Sequence, residues 1–290
     1  MAVRSPVLEF LQTRAVPVLR QSPLFAPHDA TLAYAAVGAA AWGLAGAEAD
    51  LEVAVLADDV TYDALAADPG WATARAEPRG DPRREPLGEL WSEVRVDGFP
   101  VRYVCSTRSR VEAAIQALDD VAVFRYARAV PLYDPTGRCA RLAESLLPRL
   151  SEVRKQRLEG KLDLLRRRFA NLEAAIRQRD VVGSSTIALE MVVLVIKVTA
   201  LLDDVPFDPR RHLLAHGLAG RLGYRLEEDI RQLFPHLGDL GRLSVNTDPV
   251  TFRFPVRVAA IISVLSEEAR RQGFRVGLQR PDPRCAERWL

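Results

Sequence analysis

The chain has 290 residues, 48% of them hydrophobic and 27% charged, with 40 Lys and Arg against 38 Asp and Glu for a net charge of +2. That length supports one large core or two medium ones, and the composition is that of a globular protein rather than a disordered or fibrous one. The balanced charge excludes a global attraction to nucleic acid or to an anionic membrane, and leaves only local basic patches to consider. Cys105, Cys139 and Cys285 are odd in number and far apart, which argues against a disulfide framework and a zinc site and sets the expectation of a cytoplasmic protein. The opening residues Met-Ala-Val-Arg-Ser-Pro hold no apolar run of signal-peptide length. The longest apolar stretch, Ile187 to Leu202, is interrupted by Glu190 and Lys197 and is expected as a buried helix rather than a membrane span.

In chain order, a helix is expected over about Val7 to Arg20, followed by a turn-rich stretch with Pro23, Pro27 and His28. Ala30 to Leu44 reads as a helix, or a strand and helix, interrupted by Gly38. Leu51 to Leu56 is β-rich with alternating faces. Residues 68–88, with Pro69, Pro78, Pro82 and Pro86, read as a loop. Val94 to Val96, then Asp97-Gly98, then Val101 to Cys105 form a hairpin signal, because Asp-Gly suits a turn with positive φ at both centres. Pro100 cannot donate to a ladder, so its strand is expected at an edge or to begin after it. A short helix over Val111 to Leu118 and a strand over Ala129 to Leu132 come next, closed by the turn Asp134-Pro135-Thr136-Gly137.

From Ser151 the period changes. Leu158, Leu162, Leu165, Phe169, Leu172 and Ile176 recur every three or four residues, which places them on one face of a long helix. Ser184 or Ser185 is the expected cap of a second helix running to about Leu202. Further helices are expected near 210–222, 225–234 and 255–272. The fold class is therefore α+β: a small domain of alternating helices and strands over 1–145, then an α-helical bundle over 146–290.

The chemistry concentrates at the end of the first expected strand. Asp50 and Glu52 alternate onto one face while Leu51, Val53 and Val55 point to the core. Two close carboxylates repel unless a cation or a guanidinium compensates them. Magnesium prefers oxygen ligands and is commonly held by one or two carboxylates with substrate phosphates. Gly38 allows close backbone approach to a phosphate, with a following helix to offer its amides.

Gly38-Ala39, a spacer, then Asp50-Leu51-Glu52 resembles the signature of the nucleotidyltransferase superfamily, a Gly-Ser turn followed by Asp-x-Asp on a strand. Val192 to Leu202 followed by Phe207-Asp208-Pro209-Arg210-Arg211-His212-Leu213 is similar to the helical domain of kanamycin-nucleotidyltransferase-like proteins, where an apolar helix leads into a Pro-x-x-Lys-Trp-Leu-like element. The resemblance implies a small mixed sheet joined to a helical bundle, with nucleotide bound between them. It implies Mg2+ with ATP or another nucleoside triphosphate held by Asp50 and Glu52, with Gly38, Ala39 and Lys161 on the phosphate side. It further implies transfer of a nucleoside monophosphate to a small hydroxyl-bearing acceptor. A homo-oligomer is compatible with it, and neither a membrane nor nucleic acid is called for.

The departures are specific. Ala39 removes the family's serine hydroxyl, and Glu52 replaces the second aspartate. The family's third acid falls on a neighbouring strand, where this chain offers Arg102, or Glu93 in a shifted register. A positive Arg102 would pair with Asp50 or Glu52 and compete with a cation. Two readings stay open: a nucleotidyltransferase with a degenerate site, or a non-catalytic member that senses nucleotide or binds protein. The basic residues Arg154, Lys155, Arg157, Lys161, Arg166, Arg167 and Arg168 are interleaved with Glu152, Glu159 and Asp163 as on a solvated face. Arg211 and His216 match the spacing of some helical RNases, but so short a pair in an Arg-rich chain has little weight. Glu190 and Lys197 are expected as a satisfied buried pair.

Overall fold

The computed structural model describes residues 5–45, 51–68, 89–209, 213–240 and 252–276. Its contacts divide the chain into two compact units, Met1–Val153 and Arg154–Leu290.

The first unit opens with α1 (Pro6–Phe10), a π turn over Leu11–Ala15 and α2 (Val16–Arg20), in direct succession. The π turn sits just ahead of Pro17, whose ring would collide with a carbonyl in an unbroken α-helix. The segment Ala30 to Leu44 resolves as β1 (Ala33–Val37) and α3 (Gly38–Trp42), with the break at Gly38. β2 (Leu51–Ala57) leads into α4 (Asp59–Ala67), whose N-cap Asp58 accepts from the Thr61 amide. β3 (Leu90–Val96) and β4 (Phe99–Thr107) form the expected antiparallel hairpin. Asp97 and Gly98 have φ of 50° and 85°, as the primed two-residue turn requires.

Pro100 departs from expectation. The sheet order is β3-β4-β2-β1-β5, so β4 is internal. Its pairing with β2 begins only at Val101, one residue past the proline, so the missing donor interrupts nothing on that side. α5 (Arg108–Gln116) starts earlier than the apolar spacing implied, because Thr107 caps it. α6 (Asp120–Tyr126) was not anticipated; Asp119 caps it by accepting from Ala122. β5 (Val130–Tyr133) and α7 (Arg138–Leu146) complete the unit.

The sheet is mixed: β2 is parallel to β4 and antiparallel to β1. Both of its faces are covered. Val53, Val55 and Ala57 pack with Leu11, Val16, Leu19 and Phe25. Ala54 and Leu56 pack on the other side with Val111, Ile115, Ala122, Val123 and Leu142. Glu52 lies on this second face, so it is buried at 5% exposure and not on a solvated one.

The second unit is helical, and α8 (Leu150–Arg177) leads into it from the first. All six residues of its apolar stripe are buried, each fully buried Leu contributing about 1.5–3 kcal/mol. α9 (Val181–Leu202) is capped by Asp180, which accepts from Gly183 at 2.8 Å. Ser184 is instead buried inside the helix, with its hydroxyl on the Val181 carbonyl. α9 is 61% buried over its most apolar stretch and forms the centre of this core. α10 (Leu213–Gly217), α11 (Arg221–Arg231), α12 (Leu233–Leu240) and α13 (Arg253–Arg271) pack with it. The first expected helix here, 210–222, is thus divided: Gly220 caps α11, and residues 210–212 lie outside the described residues.

Candidate functional site

β1 delivers Val37 opposite Glu52 and then turns at Gly38, whose φ is +59°. A Cβ at Gly38 would stand 2.9 Å from Glu52 Oε2. Glycine is therefore required twice, for the left-handed backbone and for the carboxylate against it. Across the sheet Glu52 faces Arg102 on β4, which in turn faces Glu93 on β3. Directly opposed residues share a face, so this row places both third-acid alternatives. Arg102 stands next to Glu52, its Nε 3.7 Å from Oε1, with its guanidinium 4.6 Å over the Trp91 ring. Glu93 is one strand further out and exposed.

The rest of the site comes from residues that sequence reasoning passed over. α6 sends Arg125 inward, where its Nη2 lies 2.9 Å from Glu52 Oε1. The same guanidinium pairs through Nη1 with Glu89, just before β3, and the Tyr126 hydroxyl donates to the other Glu89 oxygen. The Arg125 and Glu89 side chains are 2% and 4% exposed. One signal was legible: Arg125 is the single charge in the apolar run Val121 to Ala127.

The electrostatics follow from burial. Desolvation opposes the charge on Arg125, but Glu52 and Glu89 beside it hold the proton on and raise its pKa well above the usual value. Burial raises the Glu89 carboxyl above its ordinary range, with Arg125 and Tyr126 opposing that rise. Burial and the neighbouring Glu89 push the Tyr126 phenol well above its ordinary value, so it stays a donor. Two carboxylates facing two guanidiniums make a charge-compensated cluster.

The described residues do not fit magnesium. Glu52 Oε1 is engaged by a buried guanidinium, and Oε2 is packed against Gly38. A divalent ion brought there would meet the positive charge of Arg125 at contact range. Among the described residues no group of three or more His, Cys, Asp or Glu could hold a metal ion. Asp50, the other expected ligand, lies outside the described residues. Ala39 is half-buried on α3, and Lys161 is half-buried on α8, beside the apolar stripe in the second unit.

Two minor expectations are corrected. Glu190 is exposed and pairs with Arg168 at 2.7 Å, so it is no buried partner of Lys197. The reason is rotational: it projects from α9 toward α8 rather than into the core. His216 accepts from the Asp208 amide through Nδ1 at 3.2 Å, a structural contact, while Arg211 lies outside the described residues. The helical unit also holds a cleft of about 900 Å³ lined by Leu202, Tyr224, Arg225, Val264 and Arg271. Asp203 at its edge is already used, accepting from the Leu222 and Gly223 amides at the start of α11.

No family model matches the chain, and no curated protein matches it in sequence. Among solved structures it is similar to a nucleotidyltransferase-like protein from Exiguobacterium sibiricum 255-15. The identity is 12%, the similarity covers 89% of this chain and 74% of that one, and the TM-score is 0.45. A likeness of that strength assigns neither family nor activity.

Proposed function

We propose that the chain is a nucleotidyltransferase-like protein that binds a nucleotide through its phosphates without carrying out magnesium-dependent transfer at Glu52. The family reading is supported by the Gly38 turn between β1 and α3, the acid-bearing β2 in the middle of a mixed sheet, and the helical unit that follows. The kanamycin-nucleotidyltransferase-like organisation is part of the same reading.

The observation that carries the loss of transfer is the 2.9 Å pair between Arg125 and Glu52. In-line displacement at a phosphorus needs metal ions to neutralise the developing charge. A carboxylate already neutralised by a buried guanidinium is a poor ligand for such an ion. Arg102, half-buried and stacked over Trp91, supplies positive charge where the family places its third acid. That exchange of sign suits a phosphate and opposes a metal. The catalytic form of the reading has Asp50 and Glu52 holding Mg2+ while a nucleoside monophosphate passes to a hydroxyl-bearing acceptor. It requires Glu52 to be released from Arg125.

Calorimetry with ATP in EDTA and again in Mg2+, run beside a pyrophosphate-release assay with pooled hydroxyl-bearing small molecules, tests the proposal. The expected result is ATP binding of equal affinity in both buffers and no pyrophosphate. Absence of ATP binding refutes it, as does magnesium-dependent pyrophosphate release that Glu52→Gln abolishes.

A further inference from the structure

We infer that Arg125 is a built-in counter-cation standing in the place of a divalent metal, and that Glu89 is the second carboxylate of that place. The inference rests on the reading of Glu52 given above, and deepens it by saying what replaced the ion.

The geometry is that of a cation site with a guanidinium at its centre. Glu52 and Glu89 approach two different nitrogens of one guanidinium, which is itself 2% exposed. Glu52 comes from the central strand, Glu89 from the residue ahead of β3, and Arg125 from α6. The carboxylates thus converge from separate elements, as ligands of an ion do. Tyr126 takes the remaining Glu89 oxygen, and the remaining Glu52 oxygen lies beside the Gly38 turn, where an added Cβ would stand 2.9 Å from it. Two buried carboxylates with no cation between them would repel and draw in protons. Removing Arg125 therefore leaves two carboxylates with, among the described residues, only Arg102, 3.7 Å from Glu52, to offset them, a deficit of one positive charge that a proton or an ion fills. Hard divalent cations with oxygen preference are the class that matches two carboxylates.

The test uses Mn2+ alone, without nucleotide, at ionic strength held constant with NaCl. The full-length wild type, Arg125→Ala and Arg125→Ala/Glu89→Gln are melted in EDTA and in millimolar Mn2+. The wild type is expected to melt at the same temperature in both. Arg125→Ala is expected to melt lower in EDTA and to rise by about 4 °C or more in saturating Mn2+. The double variant is expected to lose that rise. Should Arg125→Ala fail to fold in EDTA, refolding in Mn2+ is expected to restore its native circular dichroism.

A folded Arg125→Ala indifferent to Mn2+ overturns the inference, as does one that Mn2+ cannot refold. Either outcome leaves the proposed function standing, since that reading is judged by ATP binding and pyrophosphate. A wild-type protein stabilised by Mn2+ through Glu52 overturns the inference as well.

Discussion

Gly38→Ala probes the site without touching any of its charges. Two costs are expected. Alanine at φ +59° is held in the left-handed region, at about 1–2 kcal/mol. Its Cβ would also stand 2.9 Å from Glu52 Oε2, closer than side chains normally approach. A carboxylate at the end of a mobile side chain would simply move away. Glu52 is 5% exposed and held by Arg125, so moving it strains the ion pair and the sheet face around it. Overpacking of that kind typically costs about 1–3 kcal/mol. The sum is about 2–5 kcal/mol.

Gly98→Ala separates the two contributions. Gly98 has φ +85° in the β3–β4 turn, and a Cβ there meets nothing within 4 Å. It should show the backbone cost alone, about 1–2 kcal/mol. Urea unfolding followed by tryptophan fluorescence is the assay, since Trp42 and Trp91 both report on the sheet unit. A Gly38→Ala variant no less stable than Gly98→Ala would refute the reasoning, because it would mean that Glu52 is not locked against the turn.

Two further outcomes follow from the same structure. Asp180→Ala is expected to lower the stability of the helical unit by about 1 kcal/mol, and Ser185→Ala to change it by less than about 0.5 kcal/mol. Equal effects in denaturant melts would show that Asp180 is not the operative cap. Burial pushes both the Cys105 and Cys139 thiols up to about 12, so at pH 8 neither should react with a thiol reagent until the sheet unit unfolds. The check is labelling of a Cys285→Ala variant with and without urea. Fast labelling of the native protein would contradict the burial of these residues.

Local chemistry was sufficient for much of the fold. Asp97-Gly98 specifies a primed turn because only such residues tolerate positive φ at both centres. The stripe from Leu158 to Ile176 specifies one face of a helix because its spacing matches the helical repeat. Gly38 was legible as a break for a similar reason, being the residue that enters the left-handed region without penalty. Capping was less legible. Asp180 and the serines that follow it are all competent caps, and which one serves depends on where the preceding chain exits.

The acids at 50 and 52 read as a metal site because strand alternation puts both on one face. What becomes of Glu52 is not a local property. The group that neutralises it lies on α6, and the second carboxylate on that guanidinium is 36 residues before it in the chain. Nothing in a run of adjacent side chains encodes a pairing across that separation. The sequence by itself therefore determined the turn, the strand and the helical stripe, each set by interactions within a few residues. Strand pairing already pointed to the positive Arg102 beside Glu52. Only the tertiary structure decided that a second, fully buried guanidinium and a second carboxylate join it, because that depends on which distant side chains are brought into the same dry space, where an unpaired carboxylate could not stay ionised.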